Sequence, residues 1–185
     1  MTMLPAIALI YWAPGWPAAW AILGFLTLQR LGELAYARRN TARLLARGAV
    51  EHGRRHYPAM VAIHTAFIIV LWASVAPDQP MIGVFVAAFV VLQLARLWVL
   101  ATLGPYWTTR IISSPEFPRI TKGPYRLVRH PNYWVVSLEI IVIPLMFGLF
   151  WVALVWSLLN AIILTIRIRA ENAVLSERAV QKPVA

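Results

Sequence analysis

The 185-residue sequence contains no cysteine and few acidic residues. The absence of cysteine excludes disulfide bonds, catalytic thiolates and cysteine-ligated metal sites. Only 13% of the residues are charged and 61% are hydrophobic, whereas a soluble domain has about 25% charged and about 45–50% apolar residues. The composition is therefore typical of a membrane protein, and we predict no metal site.

Five apolar segments have lengths close to the roughly 20 residues that a transmembrane helix needs. They cover residues 4–28, 57–75, 81–103, 133–149 and 150–166. The last two follow each other almost without a loop, so we expect them to form a tight helical hairpin. The sequence predicts an all-α fold, an integral membrane helical bundle of about five transmembrane helices, with residues 1–185 forming a single domain.

Basic residues are abundant, with 17 lysines and arginines against seven acidic residues and a net charge of +10. All but one of these cations lie between or after the predicted spans, in the segments 29–56, 104–132 and 167–185. Because cytoplasmic loops of membrane proteins are rich in lysine and arginine, the excess indicates topology rather than a nucleic-acid partner. We predict a multi-pass protein of a prokaryotic cytoplasmic membrane, with its N-terminus outside and its C-terminus inside.

Polar side chains also occur within the predicted spans. Counting about seven residues from the cytoplasmic end of each span places four of them at one depth, about 10 Å below the surface; they are His64, Arg96, Glu139 and Asn160. Ionisable side chains in a membrane usually face the bundle interior. Two interpretations remain open: a polar floor under a cavity that contacts the substrate through Arg96 and Asn160, or an Arg96–Glu139 pair that fixes helix packing.

A stiff polar stretch, "KGPYRLVRHPNYW", occupies residues 122–134. Its glycine and prolines predict a rigid turn before the fourth span. A second polar run, "RIRAEN", follows the fifth span, and its Arg167 and Glu171 share one helix face. Since the two spans form a hairpin, both runs lie at the same membrane face and can meet across one site. Interfacial anchoring and a surface ion pair are the competing interpretations.

The combination of "GPYRLVRHPNY", a hydrophobic hairpin and "RIRAEN" resembles the isoprenylcysteine carboxyl methyltransferase family. The resemblance covers about residues 96–178 and implies a multi-pass enzyme that uses S-adenosylmethionine. Four candidates for cofactor binding lie within the matching motifs: His130, Pro131, Tyr133 and Glu171. Four further candidates lie beside them: Lys122, Gly123, Tyr125 and Arg167. Asn172 stands where a second glutamate is common in the family, which leaves the role of that acid open.

The N-terminal half contains "GAVEHGRRHYPAMVAIH" at residues 48–64, and it resembles a bacterial branch found beside type III polyketide synthases. This resemblance implies O-methylation of an alkylpyrone or alkylresorcinol, whereas the wider family implies an isoprenylcysteine-type carboxylate. We therefore expect a lipid-like acceptor and an active site that faces the cytoplasm.

The catalytic candidates are Arg129 for orienting an oxyanion, Glu139 or His64 as a base for a phenol, and Glu171. Two other functions remain open. A sterol-type membrane reductase with a nicotinamide cofactor carries a similar "RHPNY", and a small membrane carrier would have no enzymatic activity.

Overall fold

The computed structural model of the chain describes residues 11–12, 14, 16–114, 116–117 and 120–181. Five helices make up most of this part: α1 (Ala18–Ala46), α2 (Tyr57–Ser74), α3 (Gly83–Leu103), α4 (Pro131–Met146) and α5 (Phe150–Gln181). Short 3-10 turns cover Gly104–Tyr106 and Gly123–Arg126. The beginning of the first predicted span, before residue 11, lies outside the described residues.

The outer faces of the helices identify an integral membrane protein. Three helical stretches of the described residues are long and apolar enough to cross a membrane: Tyr57–Ser74, Gly83–Tyr106 and Phe150–Ala173; the apolar helix Pro131–Met146 is shorter. Large apolar side chains such as Ile69, Val91 and Leu158 are exposed on these helices. So much exposed apolar surface is unfavourable in water and suits a lipid environment. The count of five spans and their orientation stay predictions.

Only three residues, 147–149, connect α4 to α5. α4 begins at Pro131, a position that suits proline because the first helical turn has no use for its N–H. At the other end Gly148 has a φ of 73°, a left-handed conformation that favours glycine. The amides of Gly148 and Leu149 donate to the carbonyls of Leu145 and Pro144, which closes the helix end. α5 then starts at Phe150 and packs against α4.

The helices form a ring around a central space. α1 packs on α2, α2 on α5, α5 on α4, and α4 on α3. One apolar core joins α1, α2, α3 and α4 through side chains that include Leu23, Leu71, Phe89 and Ile143. Salt bridges from α1 to α3 and α4 complete the ring.

Two short antiparallel strand pairs depart from the predicted all-α fold. β1 (Tyr11–Trp12) pairs with β3 (Met81–Ile82), and β2 (Val50–His52) pairs with β4 (Ile111–Ser113). Beside the second pair, the Glu51 carboxylate lies 2.7 Å from Arg110 and raises the pKa of that guanidinium. This strand pair ties the segment after α1 to the segment after α3, and it thereby fixes residues 107–110 near α5.

Candidate active site

Two cavities adjoin each other near the start of α4. The polar cavity, of about 210 Å³, is lined by the segment after α3, the start of α4 and the outer part of α5; its polar lining includes Thr108, Arg110, Ser113, Tyr125, His130 and Glu171. The apolar cavity, of about 370 Å³, lies between α1, α2, α4 and α5, and its lining includes Leu26, Leu34, Val61, Phe67, Val136 and Ile163. Both cavities share Trp107, Thr108, Asn132, Tyr133 and Arg167. These shared residues form the wall between the cavities.

The centre of the wall is the hydroxyl of Tyr133. It accepts a 2.8 Å hydrogen bond from Nε of Arg167 and donates a hydrogen bond to the carboxylate of Glu171. Nη1 of Arg167 donates to the Thr109 carbonyl at 2.7 Å and lies 3.1 Å from Sδ of Met60. The side chains predicted at the start of α4 and on α5 are therefore in contact, and the phenol ring has one cavity on each side.

Three residues that line the polar cavity each contain a buried polar atom with no hydrogen-bond partner among the described residues. These atoms are Nε2 of His130, Oδ1 of Asn132 and Nε1 of Trp107. The His130 ring stacks on Tyr133 with 5.3 Å between ring centroids, and its Nδ1 lies 3.8 Å from Glu171. Buried polar groups are normally hydrogen-bonded, so these three atoms are candidates for contacts with a bound molecule.

A tight turn brings Tyr125 into the same cavity. Gly123 opens this turn with a φ of 58°, and a Cβ there would lie 2.6 Å from Oγ1 of Thr102 on α3. Glycine is therefore required both by the backbone conformation and by the close packing on α3. Burial and the charge of Glu171 raise the pKa of the Tyr125 phenol, so this hydroxyl stays protonated at neutral pH and can donate a hydrogen bond.

Four charged side chains line the apolar cavity and form an ionic cluster, which consists of the buried Glu33, Arg96 and Glu139 and the partly exposed Arg30. Nε and Nη2 of Arg96 donate to the two oxygens of Glu33, each at 2.5 Å, and its Nη1 donates to Glu139 at 2.9 Å. Arg30 donates to Glu33 at 3.0 Å and to Glu139 at 2.8 Å. The two positive and two negative charges compensate each other, as buried charges require.

The polar residues predicted at one depth have different surroundings. Arg96 and Glu139 pair within the ionic cluster, and His64 lines the same apolar cavity. Asn160 lies outside the cavity lining; its Nδ2 donates to Oγ of Ser137 at 3.1 Å, which joins α5 to α4. Arg96 and Glu139 therefore form the ion pair of one interpretation and also line a cavity, as the other interpretation expected.

Besides Asn160, four residues of the predicted site lie outside both cavity linings, and one of them is Gly123, whose turn positions Tyr125. Lys122 and Arg129 are exposed, and Pro131 is buried at the first position of α4. Within the part of the chain that the structure describes, no group of three or more His, Asp or Glu side chains could hold a metal ion.

Sequence reasoning missed Arg30 and Glu33, because it placed the residues after position 28 outside the membrane. Their spacing of three residues puts both on one face of a continuous helix, a signal that would have identified them as partners. It also missed Trp107 and Thr109, which reach the site from an irregular segment with no periodic pattern.

The geometry describes an integral membrane protein with a polar and an apolar cavity that meet at one tyrosine. Residues 83–177 match the model of the Isoprenylcysteine carboxyl methyltransferase (ICMT) family. The chain belongs to this family, and membership identifies it as a membrane methyltransferase. The matched residues include α3, α4 and most of α5, whereas α1 and α2 lie outside the match.

Relatives extend the similarity over most of the chain. "Uncharacterized protein YpbQ" of Bacillus subtilis (strain 168) is 38% identical over 167 residues, which cover 88% of this chain and 99% of that protein. An "Uncharacterized protein" of Haemophilus influenzae is 27% identical over 154 residues, which cover 80% of this chain and 88% of that protein. No solved structure matches the chain.

Proposed function

We propose that the protein is an S-adenosylmethionine-dependent O-methyltransferase that modifies a lipid-like acceptor at the cytoplasmic face of the membrane. The observation that carries this proposal is the contact between the polar and the apolar cavity at Tyr133 and Arg167. A polar cofactor and an amphiphilic acceptor need different surroundings, yet their reacting atoms must be in contact and in line. Two unlike cavities that share one wall satisfy both requirements.

The polar cavity fits the cofactor. Nε2 of His130, Oδ1 of Asn132 and Nε1 of Trp107 are buried without partners and match the polar groups of a nucleoside. The Glu171 carboxylate suits an ammonium group, and the ring of Tyr125 offers an aromatic face to a purine or a cation. Bound S-adenosylmethionine supplies an electrophilic methyl group on a positively charged sulfur.

Arg167 is suited to orient the oxygen that receives the methyl group. Its side chain is 7% exposed, and its hydrogen bonds go to uncharged groups: the Tyr133 hydroxyl, the Thr109 carbonyl and the Met60 sulfur. A buried guanidinium favours an anion beside it. We therefore assign to Arg167 the orienting role that was predicted for Arg129, which is exposed.

A carboxylic or enolic acceptor enters the cavity already ionised at neutral pH, whereas a phenol needs a base. Of the two predicted bases, Glu139 accepts hydrogen bonds from Arg30, Arg96 and Gln93. Nδ1 of His64 lies 2.8 Å from the Met60 carbonyl, which only accepts, so Nδ1 carries the proton and Nε2 keeps its lone pair. We assign the base role to His64 for phenolic acceptors.

The acceptor reaches the site from the bilayer. Leu31 on α1 and Val61 and Ile69 on α2 line the apolar cavity and are also exposed at 58%, 38% and 61%. The cavity wall between α1 and α2 is therefore open toward the outer face of the bundle. We propose that the tail of the acceptor enters there and that the cofactor arrives from the cytoplasm.

Methyl transfer by the purified protein tests the proposal. The protein in detergent is incubated with labelled S-adenosylmethionine and an alkylpyrone, an alkylresorcinol or an isoprenylcysteine-type carboxylate. We expect label in at least one acceptor, and we expect Tyr133→Ala to lower kcat/KM at least about 100-fold because it opens the wall that aligns the reactants. The matched control is Trp134→Ala, which removes a neighbouring exposed ring that lines neither cavity.

Transfer to none of the acceptors would contradict the proposed reaction, and a fully active Tyr133→Ala variant would contradict the proposed site. Family membership favours a transferase over the reductase and the carrier. The reductase would instead bind NADPH.

A further inference from the structure

We propose that Arg30 is a second anchor for the acceptor and binds an oxygen remote from the one that is methylated. The head group of the acceptor then carries two oxygen functions: an acidic one at Arg167 and a hydrogen-bond-accepting one at Arg30. This inference rests on the proposed function and names the class of its substrate.

Arg30 is the most accessible member of the ionic cluster. Its side chain is 28% exposed, against 6% for Arg96, and it lines the apolar cavity. The hydrogen bonds to Glu33 and Glu139 each come from a different terminal nitrogen of Arg30. They occupy two of the five N–H donors of a guanidinium. The remaining donors favour an oxygen atom in a cavity whose other walls are mainly apolar.

The charges around the apolar cavity agree with an acceptor of one negative charge. Three cationic side chains line it, Arg30, Arg96 and Arg167, and two carboxylates, Glu33 and Glu139. One positive charge is therefore in excess, which one acidic oxygen would balance. If the acidic oxygen were the only polar group of the acceptor, the hydrocarbon part of the acceptor would cover Arg30. This would be unfavourable because burying N–H donors without hydrogen-bond partners costs free energy.

The two anchors lie apart along α4. Arg167 contacts the hydroxyl of Tyr133, whereas Arg30 contacts the carboxylate of Glu139. These two α4 residues are six positions apart, or about 9 Å along the helix. The second oxygen thus lies several ångströms deeper than the reacting one, as in an alkyl ring with an acidic hydroxyl and a second oxygen. A plain fatty carboxylate has no group for Arg30.

The second anchor also lies in a different part of the chain from the cofactor site. Arg30 is on α1, outside the residues 83–177 that the family model matches, whereas Tyr133 and Arg167 lie inside them. The cofactor side and the first acceptor anchor thus belong to the family-matched part, whereas the second anchor belongs to the N-terminal helix α1.

Ligand binding without cofactor tests the inference independently of catalysis. Calorimetry on the full chain in detergent compares a 4-hydroxy-6-alkyl-2-pyrone with a fatty acid of the same tail length, since both are monoanions near neutral pH. We expect the pyrone to bind the parent more tightly. Arg30→Met removes the excess positive charge, so it should weaken the binding of both anions. We expect a further loss of about tenfold for the pyrone alone, the usual cost of a hydrogen bond to a charged donor.

Arg39→Met is the matched control, because Arg39 is an exposed arginine on the same helix that lines neither cavity. Arg30→Lys retains the charge opposite Glu33 and Glu139, so it keeps the test valid if Arg30→Met does not fold. It should lose part of the pyrone affinity, because lysine lacks the planar fork of donors. An alkylresorcinol as a third ligand shows whether a hydroxyl can replace the second carbonyl oxygen.

Equal affinity of the parent for pyrone and fatty acid would overturn the second anchor, as would an Arg30→Met loss of the same size for both ligands. A larger loss for the pyrone, in a parent protein that transfers no methyl group to any acceptor, would support the anchor and reject the proposed methyl transfer.

Discussion

The two cavities on either side of Tyr133 differ in how their polar groups are satisfied. In the polar cavity, Nε2 of His130, a residue that lines only this cavity, is buried without a partner among the described residues. In the apolar cavity, the Arg96 and Glu139 side chains are paired with each other and with further charges of the ionic cluster. Satisfied charges hold helices together, whereas unsatisfied buried groups indicate a ligand. The presence of charge alone therefore does not locate the cofactor site in this protein.

The largest expected effect is a loss of stability on the apolar side. Glu139→Gln removes the carboxylate that Arg30 and Arg96 share, and breaking a buried ion pair costs about 3–5 kcal/mol. We expect a marked fall in Tm in detergent, measured by thermal unfolding. In the protein that remains folded, the affinity for S-adenosylhomocysteine should change little, because Glu139 does not line the polar cavity.

Glu116→Gln is the control for this change, since Glu116 is an exposed carboxylate outside both cavities. If Glu139→Gln unfolds at the temperature of the parent, the ionic cluster does not hold α1, α3 and α4 together.

On the polar side we expect a smaller effect, which lowers the affinity for a ligand and leaves the stability nearly unchanged. His130→Ala removes a ring that stacks on Tyr133 and an unpartnered nitrogen of the polar cavity. We expect the affinity for S-adenosylhomocysteine to fall about tenfold, equivalent to about 1.4 kcal/mol, with Tm nearly unchanged. Calorimetric titration measures the affinity, with His52→Ala as a matched control that lines neither cavity. A variant with a lower Tm but full affinity for S-adenosylhomocysteine would show that His130 stabilises the fold and does not bind the cofactor.

The smallest effect should come from Arg129→Ala. Arg129 is exposed and lines neither cavity, and surface substitutions usually change stability by less than about 0.5 kcal/mol. We expect kcat/KM for methyl transfer within about twofold of the parent value. A 100-fold loss would instead show that Arg129 reaches the reacting oxygen, and it would return to Arg129 the role assigned to Arg167.

Much of the family-matched part could be predicted from the sequence. The apolar runs gave the bounds of α3 and α4 and the start of α5 to within three residues, whereas α5 ends at Gln181, 15 residues beyond its predicted apolar run. The bounds of α2, which lies outside the matched part, were also close to the prediction. The short connection between α4 and α5 also predicted that Tyr133 and Glu171 would meet, and depth counting paired Arg96 with Glu139. These inferences depend on hydropathy and chain length, which act locally and are readable without tertiary contacts.

The N-terminal part was harder to predict for a physical reason. Arg30 and Glu33 interrupt the hydropathy of α1, so they read as residues outside the membrane, although their charges are compensated by partners on α3 and α4. Strands of two or three residues are too short to show alternation, which is why β2 and β4 were not predicted. Rotation of α5 about its axis turns Asn160 toward Ser137, and depth alone does not specify that rotation.

The proposed cofactor can be tested by titrating the purified parent protein with S-adenosylhomocysteine and, separately, with NADPH. We expect saturable binding of S-adenosylhomocysteine that Tyr133→Ala abolishes and Trp134→Ala preserves, with no binding of NADPH. Binding of NADPH, or no binding of S-adenosylhomocysteine by folded protein, would contradict the proposed use of S-adenosylmethionine.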